Sequence, residues 1–166
     1  MFSFFSKKKV ASDIPNKLCA YVWKSALSFS KAIGAPKSIS FDIYICTALL
    51  YSIRDILQKA GVKDDVYSQF AITTCSIAKI PTSNHNIKWI RERQKEMIGA
   101  LLTEGANLYT ADGVRVVFDI AYLLGGDDND DYDALLGPDA LEQMELRLAI
   151  TEVNVFAATL FKSTTT

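Results

Sequence analysis

The sequence predicts an all-α fold: a compact single-domain bundle of about six helices around one helix that is apolar on nearly all sides. Two observations lead there. In most segments apolar residues recur at three- and four-residue spacing, which gathers them on one face of a helix. The segments are separated by Gly, Pro and Asx/Ser punctuation of the kind that starts and stops helices. A length of 166 residues suits one core, and 49% apolar with 22% charged residues is a globular composition. The helical domain is placed at residues 12–162, after a flexible N-terminal segment 1–11 and before a frayed tail 163–166.

The first helix is expected from Ser12-Asp13, with Pro15 in its first turn and a stop at Gly34 before Pro36. Ile14, Leu18, Val22, Ala26, Phe29 and Ile33 form its inner face, and Lys17, Lys24 and Lys31 a solvated stripe. The second runs from Ser40 to Gln58 and is the apolar central helix. A third opens at Asp64-Asp65, whose carboxylates complement the helix dipole, and closes before Pro81, with Val66, Phe70, Thr74 and Ile77 inward. The fourth uses Ile87, Ile90, Gln94, Met97, Ile98 and Leu101 and frays near Gly105. The fifth spans Asp112 to Gly125-Gly126. Its Val114–Ile120 stretch is β-branched enough for a strand, but a lone strand has nothing to pair with, so helix is preferred. The last starts at Pro138-Asp139 and reaches Phe161, with Leu141, Met144, Leu148, Val155, Phe156 and Leu160 pointing inward.

Cys19, Cys46 and Cys75 are far apart, odd in number and flanked by apolar residues, so they read as reduced core thiols and not as a disulfide or zinc framework. The opening Phe2, Phe4 and Phe5 precede Lys7 to Lys9, the reverse of a secretory signal, and too short to anchor a membrane stably. The longest apolar stretch, Ile43–Ile53, is far short of the roughly twenty residues that span a bilayer. Stable membrane insertion is therefore not expected, and the cytoplasm is the expected location.

Charge is polarised along the chain. Residues 127–166 hold nine acids and two bases, a net of −7, whereas residues 1–126 hold ten acids and sixteen bases, a net of +6. Five of those acids, Asp127, Asp128, Asp130, Asp131 and Asp133, fall within seven residues. Asp127, Asn129, Asp131 and Asp133 alternate like the first ligands of an EF-hand loop, but Tyr132 stands where the turn needs Gly and Pro138 where a bidentate Glu is needed. A solvated loop between helices is the simpler reading. The functional one is an acidic docking surface, whose negative potential steers a basic partner and pairs with its Lys and Arg.

Other candidates are weaker. The stretch Lys88-Trp89-Ile90-Arg91-Glu92-Arg93-Gln94-Lys95-Glu96 mixes bases with an aromatic, yet its glutamates interleave as on a solvated helix face, so nucleic-acid binding is not expected. His85 is the single histidine and sits in a loop without a nucleophile or a second metal ligand. No phosphate-cradling glycine motif is present and no cofactor is implied. Arg54 and Asp119 stand inside apolar helices, where an unpaired charge is costly; a structural pair, or a ligand cleft between helices, would accommodate them. By elimination the expected function is a small protein-binding module, for example an inhibitor or immunity-type protein docking a basic partner. The competing reading is an enzyme or small-ligand binder with a dispersed interhelical site.

Overall fold

A computed structural model of the chain describes residues 2–104, 106–126 and 132–162. Among these, seven helices and no strand are present: α1 (Phe2–Ile33), α2 (Ile39–Ser52), α3 (Arg54–Lys59), α4 (Lys63–Ile77), α5 (Asn84–Glu104), α6 (Ala111–Gly125) and α7 (Ala140–Lys162). The fold is an all-helical bundle. Phe41 and every residue from Ile43 to Tyr51 are buried, because α2 is packed on by α1, α5, α6 and α7. Among the described residues no helix is long and apolar enough to cross a membrane.

Three expectations are corrected. First, α1 begins at Phe2 and not near Ser12, so Pro15 lies inside the helix. A proline removes one backbone donor and crowds the preceding turn, and the residues before it contain no further breaker. From Ile14 onward the expected inner face holds, with Leu18, Val22, Ala26 and Phe29 buried and Ile33 half-buried.

Second, the central helix is broken at Ile53. In a continuous helix the Ile53 N–H would donate to the Leu49 carbonyl. The Ser52 hydroxyl donates to that carbonyl at 2.6 Å, and the Ile53 N–H turns to Leu50 at 3.2 Å. A serine that bonds back to its own helix competes with the ladder in this way. The six-residue α3 then runs from Arg54 to Lys59.

Third, α7 turns a different face to the core. Leu146, Ala149, Ile150, Val153 and Ala157 are buried, while Phe156 and Leu160 pack partly against the core and Phe156 stacks on Tyr21 with centroids 3.9 Å apart. Leu141, Met144, Leu148 and Val155, expected inward, are exposed. The helix has two apolar stripes on opposite sides. The stripe with alanines, which lets backbones approach closely, is the one that meets α1. On α4, Ile77 is likewise exposed, while Cys75 and Ala71 take the inner positions.

Cys19, Cys46 and Cys75 are all buried with no disulfide between them. α6 is helical through Val114–Ile120, capped by the Thr110 hydroxyl, which accepts from the Gly113 N–H at 3.2 Å. Its far end approaches α2 so closely that a Cβ on Gly125 would lie 2.8 Å from Tyr44 Cδ2 and 2.9 Å from the Phe41 nitrogen. Ser38, which caps α2, donates to the Gly125 carbonyl and locks the two helix ends together.

Candidate functional site

In the sequence the acidic run follows this junction directly. Gly126 still donates to Tyr122 at 3.1 Å, and description resumes at Tyr132. Asp127, Asp128, Asp130 and Asp131 thus lie outside the described residues. Asp133 is exposed and shapes the turn that follows. Its carboxylate accepts the Leu135 N–H at 2.9 Å, and its carbonyl accepts those of Leu136 at 3.1 Å and Gly137 at 2.9 Å. An aspartate bonding two residues ahead is a common way to start a turn, and Gly137, at φ 72°, closes it. Leu135 and Leu136 at its tip are 90% and 81% exposed.

That turn is fastened to α6 by the aspartate that the sequence marks as out of place. The Tyr132 hydroxyl donates to one carboxylate oxygen of Asp119, and Arg115, one turn earlier, pairs with the other at 3.8 Å. The Arg115 guanidinium also donates to the carbonyls of Ala134 and, at 3.2 Å, Leu135. The Tyr132 ring stacks on Tyr122 with centroids 4.5 Å apart, and the Tyr122 hydroxyl donates to Glu142 on α7 at 2.9 Å. Burial first, and then the bond to Asp119, hold the Tyr132 phenol above its ordinary range. Asp119 is therefore a partly exposed structural anchor joining α6, the turn and, through the tyrosine pair, α7.

Arg54 lies elsewhere. Its guanidinium donates to the Tyr51 carbonyl at 3.1 Å and sits 4.1 Å from the centroid of the Tyr51 ring, so the break after Ser52 supplies its partners. Neither Arg54 nor Asp119 lines a cleft that opens near the end of α1. That cleft, of about 660 Å³, opens between the end of α1 and the start of α2, with Leu27, Ser30, Pro36, Ser38 and Asp42 in its wall. Ser30 donates to Asp42 at 2.9 Å, yet burial outweighs that bond and pushes the carboxyl up to about 6. Asp42 carries no motif in the sequence. Only the turn Gly34–Ser38, which folds α2 back along α1, brings it beside Ser30.

On α5, Arg93 folds over Trp89 at 4.3 Å from the ring centroid and donates to its carbonyl at 3.0 Å, so the aromatic in the basic stretch is covered by its own helix. His85 is in the first turn of α5 and not in a loop, and it is exposed. Among the described residues no group of three or more His, Cys, Asp or Glu is placed to hold a metal ion.

No protein-family model, curated protein or solved structure matches this chain.

Proposed function

We propose that this chain is a protein-binding module that docks a basic partner through the acidic run 127–133 and the leucine tip beside it. The exposed pair Leu135-Leu136 carries this reading. Two leucines next to each other and open to solvent keep apolar surface in water and add nothing to the core, and large exposed apolar groups rimmed by polar ones are typical of interaction sites. The Arg115–Asp119–Tyr132 anchor supports it, since a turn held on a rigid helix loses less freedom on binding than a loose one. Carboxylates around an apolar tip select Lys- and Arg-rich surfaces and speed encounter with them. An inhibitor or immunity-type protein that covers a basic active site would work in this way.

The test is capture of partners from the source cell by the wild type, by Leu135→Ser/Leu136→Ser and by an Asp128→Asn/Asp130→Asn/Asp131→Asn variant. The expected outcome is a basic protein retained by the wild type and lost by both variants. Retention of the same proteins by all three would remove the reading. A second reading, a small-ligand site, draws on the cleft at Ser30 and Asp42.

A further inference from the structure

The outward stripe of α7 is regularly spaced. Leu141, Met144, Leu148, Thr151, Val155 and Ala158 alternate at spacings of three and four, all are exposed, and together they make the a and d positions of nearly three heptads. The buried residues Leu146, Ala149, Ile150, Val153 and Ala157 occupy the b, c and f positions, on the opposite side of the helix. Thr151, the one polar member, already donates its hydroxyl to the Arg147 carbonyl at 2.9 Å, so its methyl can face a partner without stranding a donor. A single bundle helix needs one apolar side; a second at heptad spacing is the pattern of a helix-pairing seam.

We propose that this seam pairs with α7 of a second copy of the chain, the two helices running parallel. Charge selects both the occupant and the direction. In a parallel pair each g position faces the e position five residues on in the partner. Here Arg147 is at g and Glu152 at e, so a symmetric dimer makes the Arg147–Glu152 contact twice, while Glu145 faces Ala140. In an antiparallel pair e faces e, which sets Glu145 against Glu152 twice and leaves Arg147 beside Asn154. Arg147 and Glu152 are both exposed, and neither has an ion pair among the described residues. The seam lies opposite the face that meets α1.

The interface is small. A helix of 23 residues offers a strip about 34 Å long and about 10 Å wide, well under a standard interface of roughly 800 Å² per partner. The dimer is accordingly weak, with a dissociation constant on the order of 100 μM. This inference uses a surface separate from the leucine tip and stands or falls apart from the docking of a basic partner.

Sedimentation velocity on the 166-residue chain, in physiological salt from about 10 μM to about 1 mM, tests the proposal. The wild type should shift from monomer toward dimer across that range, and Leu148→Glu should remain a monomer with an unchanged circular dichroism spectrum. Arg147→Glu and Glu152→Arg should each weaken the dimer about tenfold, and the double reversal should restore it. A wild type that stays monomeric throughout, or a Leu148→Glu protein that dimerises as well as the wild type, would overturn the seam. A Glu152→Arg variant that dimerises more tightly than the wild type would overturn the parallel arrangement, since only the antiparallel pair gains a Glu145 contact from that change.

Discussion

The hydroxyl of Tyr132 donates to the carboxylate of Asp119, so the far end of the acidic run is tied back to the helix from which the run departs. Tyr132→Phe keeps the ring on Tyr122 and removes this single bond, for an expected loss of about 1 kcal/mol. Arg115→Ala removes the ion pair and both carbonyl contacts and should cost about 2 kcal/mol. Urea denaturation measures both. An Arg115→Ala variant no less stable than one with the exposed Arg91 truncated would show that the turn is not fastened there.

Gly125 is set by contact and not by backbone angle. A methyl group at that position would meet Tyr44 and the backbone of Phe41 at under 3 Å, and backbone cannot move aside as a flexible side chain can. Gly125→Ala is expected to destabilise by about 1–3 kcal/mol despite the better helix propensity of alanine. Thermal unfolding checks the sign, and a rise in melting temperature would contradict the packing described.

Asp42 gives the fold a pH dependence of definite sign. Burial raises its carboxyl from 3.8 to about 6, so between those values the folded protein binds a proton that the unfolded chain has released. Stability from this group is full below the lower value and is lost as pH rises toward the upper one. Asp42→Asn, which cannot ionise and can still accept from Ser30, should gain on the wild type between pH 4 and pH 7. A constant stability difference across that range in paired urea titrations would refute the assignment.

Burial pushes the Cys19 thiol up to about 12 and raises Cys46 and Cys75 as well. With the thiolate suppressed and the sulfurs enclosed, a thiol reagent at pH 8 should find none of the three until the chain opens. The reaction rate should then equal the opening rate and accelerate with urea. Rapid labelling without denaturant would place the cysteines outside the core.

The helical class was legible because spacing and punctuation agree along most of the chain. In α6 the absence of a pairing partner rightly outweighed the β-branched run Val114–Ile120. What sequence could not resolve were choices between local alternatives. Ser52 is an ordinary helix residue until its hydroxyl takes the Leu49 carbonyl and divides the central helix. On α7 both apolar stripes satisfy the helical period, and only packing against α1 decides which is buried. The candidate site divides in the same way. The acidic run is plain in composition, and Asp119 stands out as a charge needing a partner. The anchor it forms draws on Tyr132, Tyr122 and Glu142, residues from three segments whose meeting depends on the tertiary fold.

In the proposed docking, the acidic run steers a basic partner onto the leucine tip. The most direct test of this steering is the association rate of the captured partner with the wild type and with Asp128→Asn/Asp130→Asn/Asp131→Asn, measured by stopped flow at low and high salt. The variant should associate about tenfold or more slowly at ~0.01 M salt, where the screening length is about 30 Å, and the two should converge near ~1 M, where it is about 3 Å. Equal association rates at low salt, with equal affinities, would return residues 127–133 to a solvated connection between α6 and α7.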